Sequence, residues 1–158
     1  MQSHAVSGVV VRTATSADAA TVAELLGHLG YPAPTDAIPA RLARMRAKGD
    51  AEAFVAARAI DVVGLATVNA RDVLHHGTPV VQLTALVVRP EHRGLGVGRA
   101  LVDAVLAWAA ERGADRLVVT TALHRVEAPE FYERLGFEHT GRRYVRRLVE
   151  RPAGDGRA

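Results

Sequence analysis

The sequence predicts an α/β domain, one central sheet of about seven strands flanked by about four helices, and three observations carry that prediction. Apolar residues recur with both the strand and the helix period: β-branched runs such as Leu83-Thr-Ala-Leu-Val-Val88 alternate with amphipathic stretches such as Val22, Leu25, Leu26 and Leu29. The run ending at Val88 passes directly through a glycine-rich turn into a helical pattern, the strand–loop–helix order of α/β proteins. The 158 residues, 49% of them hydrophobic, suit one core, and no repeat or low-complexity linker marks a boundary. Residues 1–158 are therefore expected to form a single domain, with short disordered ends at about 1–7 and 152–158.

Residues 8–13, Gly-Val-Val-Val-Arg-Thr, read as the first strand. Thr15 or Ser16 can cap a helix running to about Leu29, and Gly30-Tyr31-Pro32 ends it. Ala37 to Lys48 reads as a second amphipathic helix, followed by a turn at Gly49-Asp50. Residues 52–58 and 62–70 make a hairpin about a tight turn near Ile60-Asp61. A polar stretch, Arg71 to Thr78, leads to the nearly all-apolar 83–88 run, whose pattern is that of a strand covered on both faces. Val97, Leu101, Val105 and Trp108 line a helix closed by Gly113, and residues 115–121 form a further strand. A last helix spans about Ala128 to Leu135 with Gly136 as its cap, and short strands near 137–140 and 143–150 finish the fold.

Composition removes several function classes. No apolar run reaches transmembrane length and the first residues lack the pattern of a secretory signal, so a soluble cytoplasmic protein without a membrane partner is expected. The absence of cysteine excludes disulfides, thiolate metal sites and thiol nucleophiles. The pI near 9.9 points towards nucleic acid. The formal charge is only +3, however, and Lys48 is the one lysine among 20 basic residues, so the pI partly reflects the high pKa of guanidinium. With aromatic residues at 4%, no stacking groove for nucleic acid is expected. Arg142-Arg-Tyr-Val-Arg-Arg147 divides its charges between two strand faces and admits two readings, a solvated edge strand or a site for an acidic partner. No histidine and carboxylate set shows metal-ligand spacing.

The turn after Val88 is the most informative segment. Glycines at 94, 96 and 98 leave backbone N–H groups open at a helix N-terminus, which is a seat for a phosphate. A Walker loop would end in Gly-Lys-Ser/Thr, but Arg99 and Ala100 follow Gly98; a dinucleotide fingerprint begun at Gly94 would need glycine at 99. Arg93-x-x-Gly96-x-Gly98 instead resembles the Arg/Gln-x-x-Gly-x-Gly/Ala loop of the GCN5-related N-acetyltransferase (GNAT) superfamily. The 83–88 strand before it and Phe131-Tyr-Glu-Arg-Leu-Gly-Phe137 after it are similar to that superfamily's central strand and its Phe/Leu-Tyr-x-x-Leu-Gly-Phe signature, in the same order. The resemblance covers nearly the whole chain and implies a mixed sheet splayed between its fourth and fifth strands.

The resemblance further implies an N-acetyltransferase that moves an acetyl group from acetyl-CoA directly to the amine of a small-molecule acceptor in a ternary complex, without a metal. It places the pyrophosphate on Arg93, Gly94, Leu95, Gly96, Val97, Gly98 and Arg99, and the pantetheine arm on free backbone groups of Leu86, Val87 and Val88. Tyr132 takes the place of the general acid; an ordinary phenol, with a pKa of about 10, stays protonated at neutral pH and can donate to a leaving thiolate. Relatives carry Glu where Gln82 or Thr120 falls, and neither is a base near pH 7, though either can hold a water. His75 and His76, as imidazoles, read either as contributors to proton transfer or as solvated loop residues. Arg125 stands where an Asn is often found and can grip a phosphate, meet a carboxylate or be solvated. For the acceptor, the resemblance implicates the first two helices, their linking loop and the last hairpin, with His28, Tyr31, Asp36 and Tyr144 as candidates, and it implies a homodimer through the last strands. Two alternatives stay open: a protein or peptide N-acetyltransferase, and a non-catalytic acyl-CoA-binding regulatory module, against which the retained Tyr132 argues.

Overall fold

A computed structural model describes residues 8–121 and 125–149, and the chain divides into two compact units, one through Val119 and one from Thr120. The first unit is built on a five-stranded sheet in the order β1 (Val9–Thr13), β2 (Ala51–Arg58), β3 (Asp61–Arg71), β4 (Val80–Val88) and β5 (Arg116–Val119). Neighbours β1 to β4 are antiparallel, and β5 runs parallel to β4 because helix α3 (Val97–Glu111) is the crossover between them. The sheet is therefore mixed, as expected.

Helices lie on both faces of this sheet, each with an apolar stripe turned to it. On one face Val22 and Leu25 of α1 (Ala19–Leu29) and Ile38 and Leu42 of α2 (Ile38–Arg46) pack with Val55, Leu65 and Val87. On the other, α3 lies so close to β3 that a Cβ on Gly64 would stand 3.0 Å from both Leu101 Cδ1 and Val97 Cγ1. Gly64 thus permits the approach that anchors the first turn of α3, a role that an otherwise ordinary strand pattern did not reveal. At the start of α1, Asp18 is buried and accepts both guanidinium N–H groups of Arg12 at 2.8 Å and the Thr15 N–H at 2.8 Å. The Arg12 hydrogen bond holds this carboxyl below its usual pKa, against the opposing effect of burial.

The expectation of about seven strands is corrected to five among the described residues. Residues 137–140 and 143–149 carry no regular secondary structure. The physical reason lies in Arg142 to Arg147: a strand is held in register by one buried face, and arginines stand on both faces here, with every residue from 138 to 149 exposed. The fifth strand is also shorter than 115–121, and the β2–β3 turn falls on Ala59-Ile60, with Ala59 at φ 54°. Helices α1 and α2 begin after single 3-10 turns, Ser16–Asp18 and Thr35–Ala37. The second unit holds α4 (Ala128–Arg134). The ends expected at 1–7 and 152–158 lie outside the described residues, as does Glu150 of the last expected strand.

Candidate active site

Strand β4 is the spine of the site. It pairs with β3 along its length, but β5 accompanies it only from Val80 to Leu83, opposite Arg116 to Val119. From Thr84 to Val88, about 17 Å of backbone, no ladder is made on the β5 side among the described residues. Thr84 is the extra residue of a β-bulge, since Val68 pairs with Leu83 and Thr67 with Ala85. Leu86, Val87 and Val88 lie on this open stretch; the Val87 side chain is buried in the core beneath α1 and α2, so its backbone edge is what it can offer.

The glycine loop follows at once. The Arg89 N–H donates to Val63 O at 2.8 Å, Pro90–His92 form one 3-10 turn, and Gly94 and Gly96 adopt left-handed φ values of 75° and 82°. The first bond within α3 runs from the Ala100 N–H to Gly96 O at 3.0 Å, so the N–H groups of Val97, Gly98 and Arg99 precede the helical ladder. No side chain caps them, because the capping position is Gly96. Val97 is buried beside Gly64, whereas Arg93, Gly94, Leu95 and Arg99 are exposed and Gly96 and Gly98 half-buried. A fixed anchor thus carries a rim of N–H donors with the helix dipole behind it, and exposed Arg93 and Arg99 belong to the same segment, an arrangement suited to a diphosphate. Arg58 Nη1 of β2 lies 3.5 Å from His92 Nδ1, which ties the hairpin to the loop.

In the second unit, Tyr132 is held by the way α4 ends. The Phe137 N–H donates to Tyr132 O and the Gly136 N–H to Glu133 O, both at 3.0 Å, and Gly136 has φ 89°. This is the Schellman cap, in which the residue two beyond the helix touches the residue three before its end. Here those residues are Phe137 and Tyr132, whose rings meet edge to face at 5.4 Å; Phe131 lies edge-on at 5.2 Å. The Tyr-x-x-Leu-Gly-Phe pattern is thus a capping motif that pins a phenol between two aromatic rings. Burial pushes the Tyr132 pKa up to about 12, partly opposed by the charge of Arg125.

The other expected residues divide. Gln82 Oε1 accepts from Arg71 Nη1 at 2.7 Å, and Thr120 Oγ1 accepts weakly from Arg143 at 3.4 Å. His75 and His76 lie ring against ring at 4.5 Å, and Arg116 approaches His76 Nε2 at 3.4 Å; local desolvation, then Arg116 and His75, lower the His76 pKa. His28 faces Glu24 at 3.8 Å, and Glu24 in turn pairs with Arg89 at 3.0 Å, beside the glycine loop. Tyr31, Asp36 and Tyr144 are exposed. Among the described residues no group of three or more His, Asp or Glu is placed to hold a metal ion. Sequence reasoning missed Arg71 and the pair Thr67 and Thr84, whose hydroxyls are 2.6 Å apart; no motif marks them, and only strand register brings them together.

With this geometry in place, comparison with known proteins identifies the class. The model of the acetyltransferase (GNAT) family matches residues 21–137, and the chain belongs to that family. It is 34% identical over 151 residues to an aminoglycoside N(6')-acetyltransferase type 1 of Stenotrophomonas maltophilia, covering 93% of this chain and 97% of that one. Its fold is similar to the structure of AAC(6')-Iy in complex with the bisubstrate analogue CoA-S-monomethyl-acetylneamine, with a TM-score of 0.79 and 25% identity over 90% of this chain and 99% of that one. It is also similar to a structure described as a transcriptional regulator from Bacillus halodurans, at TM-score 0.75 and 28% identity over 87% and 99% of the two chains. No helix among the described residues is long and apolar enough to cross a membrane.

Proposed function

We propose that this protein is an acetyl-CoA-dependent N-acetyltransferase acting directly on the amine of a small molecule in a ternary complex. The observation that carries the reading is the continuous open edge from Thr84 through Val88 into the uncapped N–H groups of Val97 to Arg99, in a chain of the GNAT family. The 34% likeness over nearly full length to an enzyme named for a small-molecule acceptor supports the choice of acceptor class. We further propose a cytoplasmic setting and assembly as a homodimer, which gel filtration with light scattering tests.

The coenzyme supplies an activated thioester when bound, so no protein nucleophile is required, and the chain has no cysteine to provide one. The work left to the protein is to hold, orient and manage protons. The loop from Arg93 to Arg99 receives the pyrophosphate, and the free edge at Leu86, Val87 and Val88 receives the arm through backbone hydrogen bonds. The acyl carbon gains a bond to nitrogen as its bond to sulfur breaks; the ammonium proton leaves through water, held by neutral groups such as Gln82. Tyr132 holds a proton for the sulfur. With its pKa near 12 against about 8.5 for an ordinary thiol, the phenol is a weaker acid than the departing thiol, so its role is chiefly that of a hydrogen-bond donor to the thiolate.

The similarity to a protein described as a transcriptional regulator favours, as second reading, a module that binds acyl-CoA without turnover. One experiment separates the two: thiol release from acetyl-CoA across small amines, amino acids, aminoglycosides and N-terminal peptides, with coenzyme binding measured in parallel by calorimetry. Thiol release with a small amine supports the enzyme; binding without release across the panel rejects it in favour of the module.

A further inference from the structure

The face of the sheet that α1 and α2 cover is only partly covered. Leu65 and Val87 lie under those helices, and period-two alternation puts Thr67, Asn69 and Arg71 of β3 on the same face as Leu65. Two hydrogen bonds fix the β4 side: Thr84 shares the face through Thr67 at 2.6 Å, and Gln82 through Arg71 at 2.7 Å. Asn69 stands directly opposite Gln82. Interior strands of a sheet ordinarily bury apolar side chains, yet here Thr84 and Arg71 are exposed and the other three half-buried. The apolar floor thus gives way to a polar one at the bulge where β5 stops accompanying β4.

The charge of this floor is one-sided. None of the described positions on β2 to β5 that share the face is Asp or Glu, from Ala51 and Ala53 through Val80 and Ala85 to Arg116 and Val118. Arg116 is matched by Asp115 at 2.8 Å, but no carboxylate pairs with Arg71 among the described residues. Its guanidinium is instead oriented by the neutral Gln82 carbonyl, leaving further N–H donors for another acceptor.

We infer that this open polar floor, Thr67, Asn69, Arg71, Gln82 and Thr84, is the acceptor subsite, and that the acceptor is a small amine carrying its own carboxylate, which Arg71 receives. The inference rests on the proposed function, because an arm laid along Val88 to Leu86 from the glycine loop delivers its acyl end towards Thr84. From Thr84 to Gln82 is two strand residues, about 7 Å. An amine at the Thr84 hydroxyl and a carboxylate at Arg71, which Gln82 orients, therefore belong to one molecule of amino-acid size. A polycation such as an aminoglycoside meets a guanidinium at that end and no carboxylate among the described strand positions of this face.

The test compares thiol release from acetyl-CoA with matched acceptors, alanine against ethylamine and serine against ethanolamine, alongside an aminoglycoside, in the wild-type protein and in Arg71→Ala and Arg71→Lys. The carboxylated member of each pair is expected to have the higher kcat/KM. Arg71→Ala should cut that ratio by about 10- to 100-fold, the worth of a hydrogen bond to a charged group, with the loss mainly in KM and partial recovery in Arg71→Lys. Equal use of the paired amines, a ratio unchanged by Arg71→Ala, or an aminoglycoside preferred over both overturns this inference while leaving the proposed function standing. No thiol release from any amine, with coenzyme binding intact by calorimetry, overturns both.

Discussion

Gly64→Ala tests how the fold holds the phosphate loop in place. The added methyl would stand 3.0 Å from Leu101 Cδ1 and 3.0 Å from Val97 Cγ1, with Val87 O at 3.4 Å behind them. Comfortable carbon contacts are about 3.5–4.0 Å, so α3 must retreat from β3 by roughly half an ångström to one ångström. Leu101 and Val97 cannot swing aside, being 0% and 1% exposed in a packed interior. Overpacking of this kind costs about 1–3 kcal/mol. Replacing glycine in a strand returns about 0.5–1 kcal/mol of chain entropy, for a net loss centred on about 1 kcal/mol and at most about 2.5 kcal/mol. Val97 is also the first residue of α3, so the N–H groups of Gly98 and Arg99 move with it. Urea denaturation should show the lower stability, and calorimetry should show coenzyme A affinity falling although position 64 touches no phosphate. Unchanged stability together with wild-type affinity would refute the claim that close packing at Gly64 sets the loop.

Four further outcomes are expected. Gly96→Asp should abolish coenzyme A binding by calorimetry, because a carboxylate enters the rim of N–H donors; a Cβ there meets nothing within 4 Å, so melting should show a folded protein bearing only the left-handed backbone cost of about 1–2 kcal/mol. Tyr132→Phe should lower kcat by about 100- to 1000-fold with coenzyme affinity retained, as for loss of one donor to a developing anion; equal turnover would remove the role. Because the Tyr132 pKa is raised to about 12, the folded state favours the protonated phenol, and its stability contribution, full below the unfolded value of 10.0, is lost as pH rises towards 12. Asp18 has the opposite sign: its folded pKa lies below 3.8, so its contribution is present above that value and lost as pH falls through and beneath it. Asp18→Asn should cost about 1–3 kcal/mol at pH 7 and flatten the acid limb of stability in urea melts; an unchanged acid limb would assign it to other carboxylates.

The glycine loop and the Tyr-x-x-Leu-Gly-Phe cap were legible in the sequence because both depend on local geometry. Gly94, Gly96 and Gly136 each stand at a left-handed backbone position that follows from its immediate neighbours, and a cap spans only six residues. The helices and the first five strands were legible for a similar reason, since their apolar periods match the faces they bury. The last two expected strands were not, because Tyr144, Val145, Leu148 and Val149 have strand character in composition while a strand exists only through a partner and a buried face. Gly64, the bulge at Thr84 and the floor that joins Thr67 to Thr84 and Arg71 to Gln82 belong to the same order of information. Residues 17 and 11 positions apart become neighbours only through antiparallel register, so the sequence by itself determined where a phosphate can sit, and tertiary structure decided what stands beside the open edge of β4.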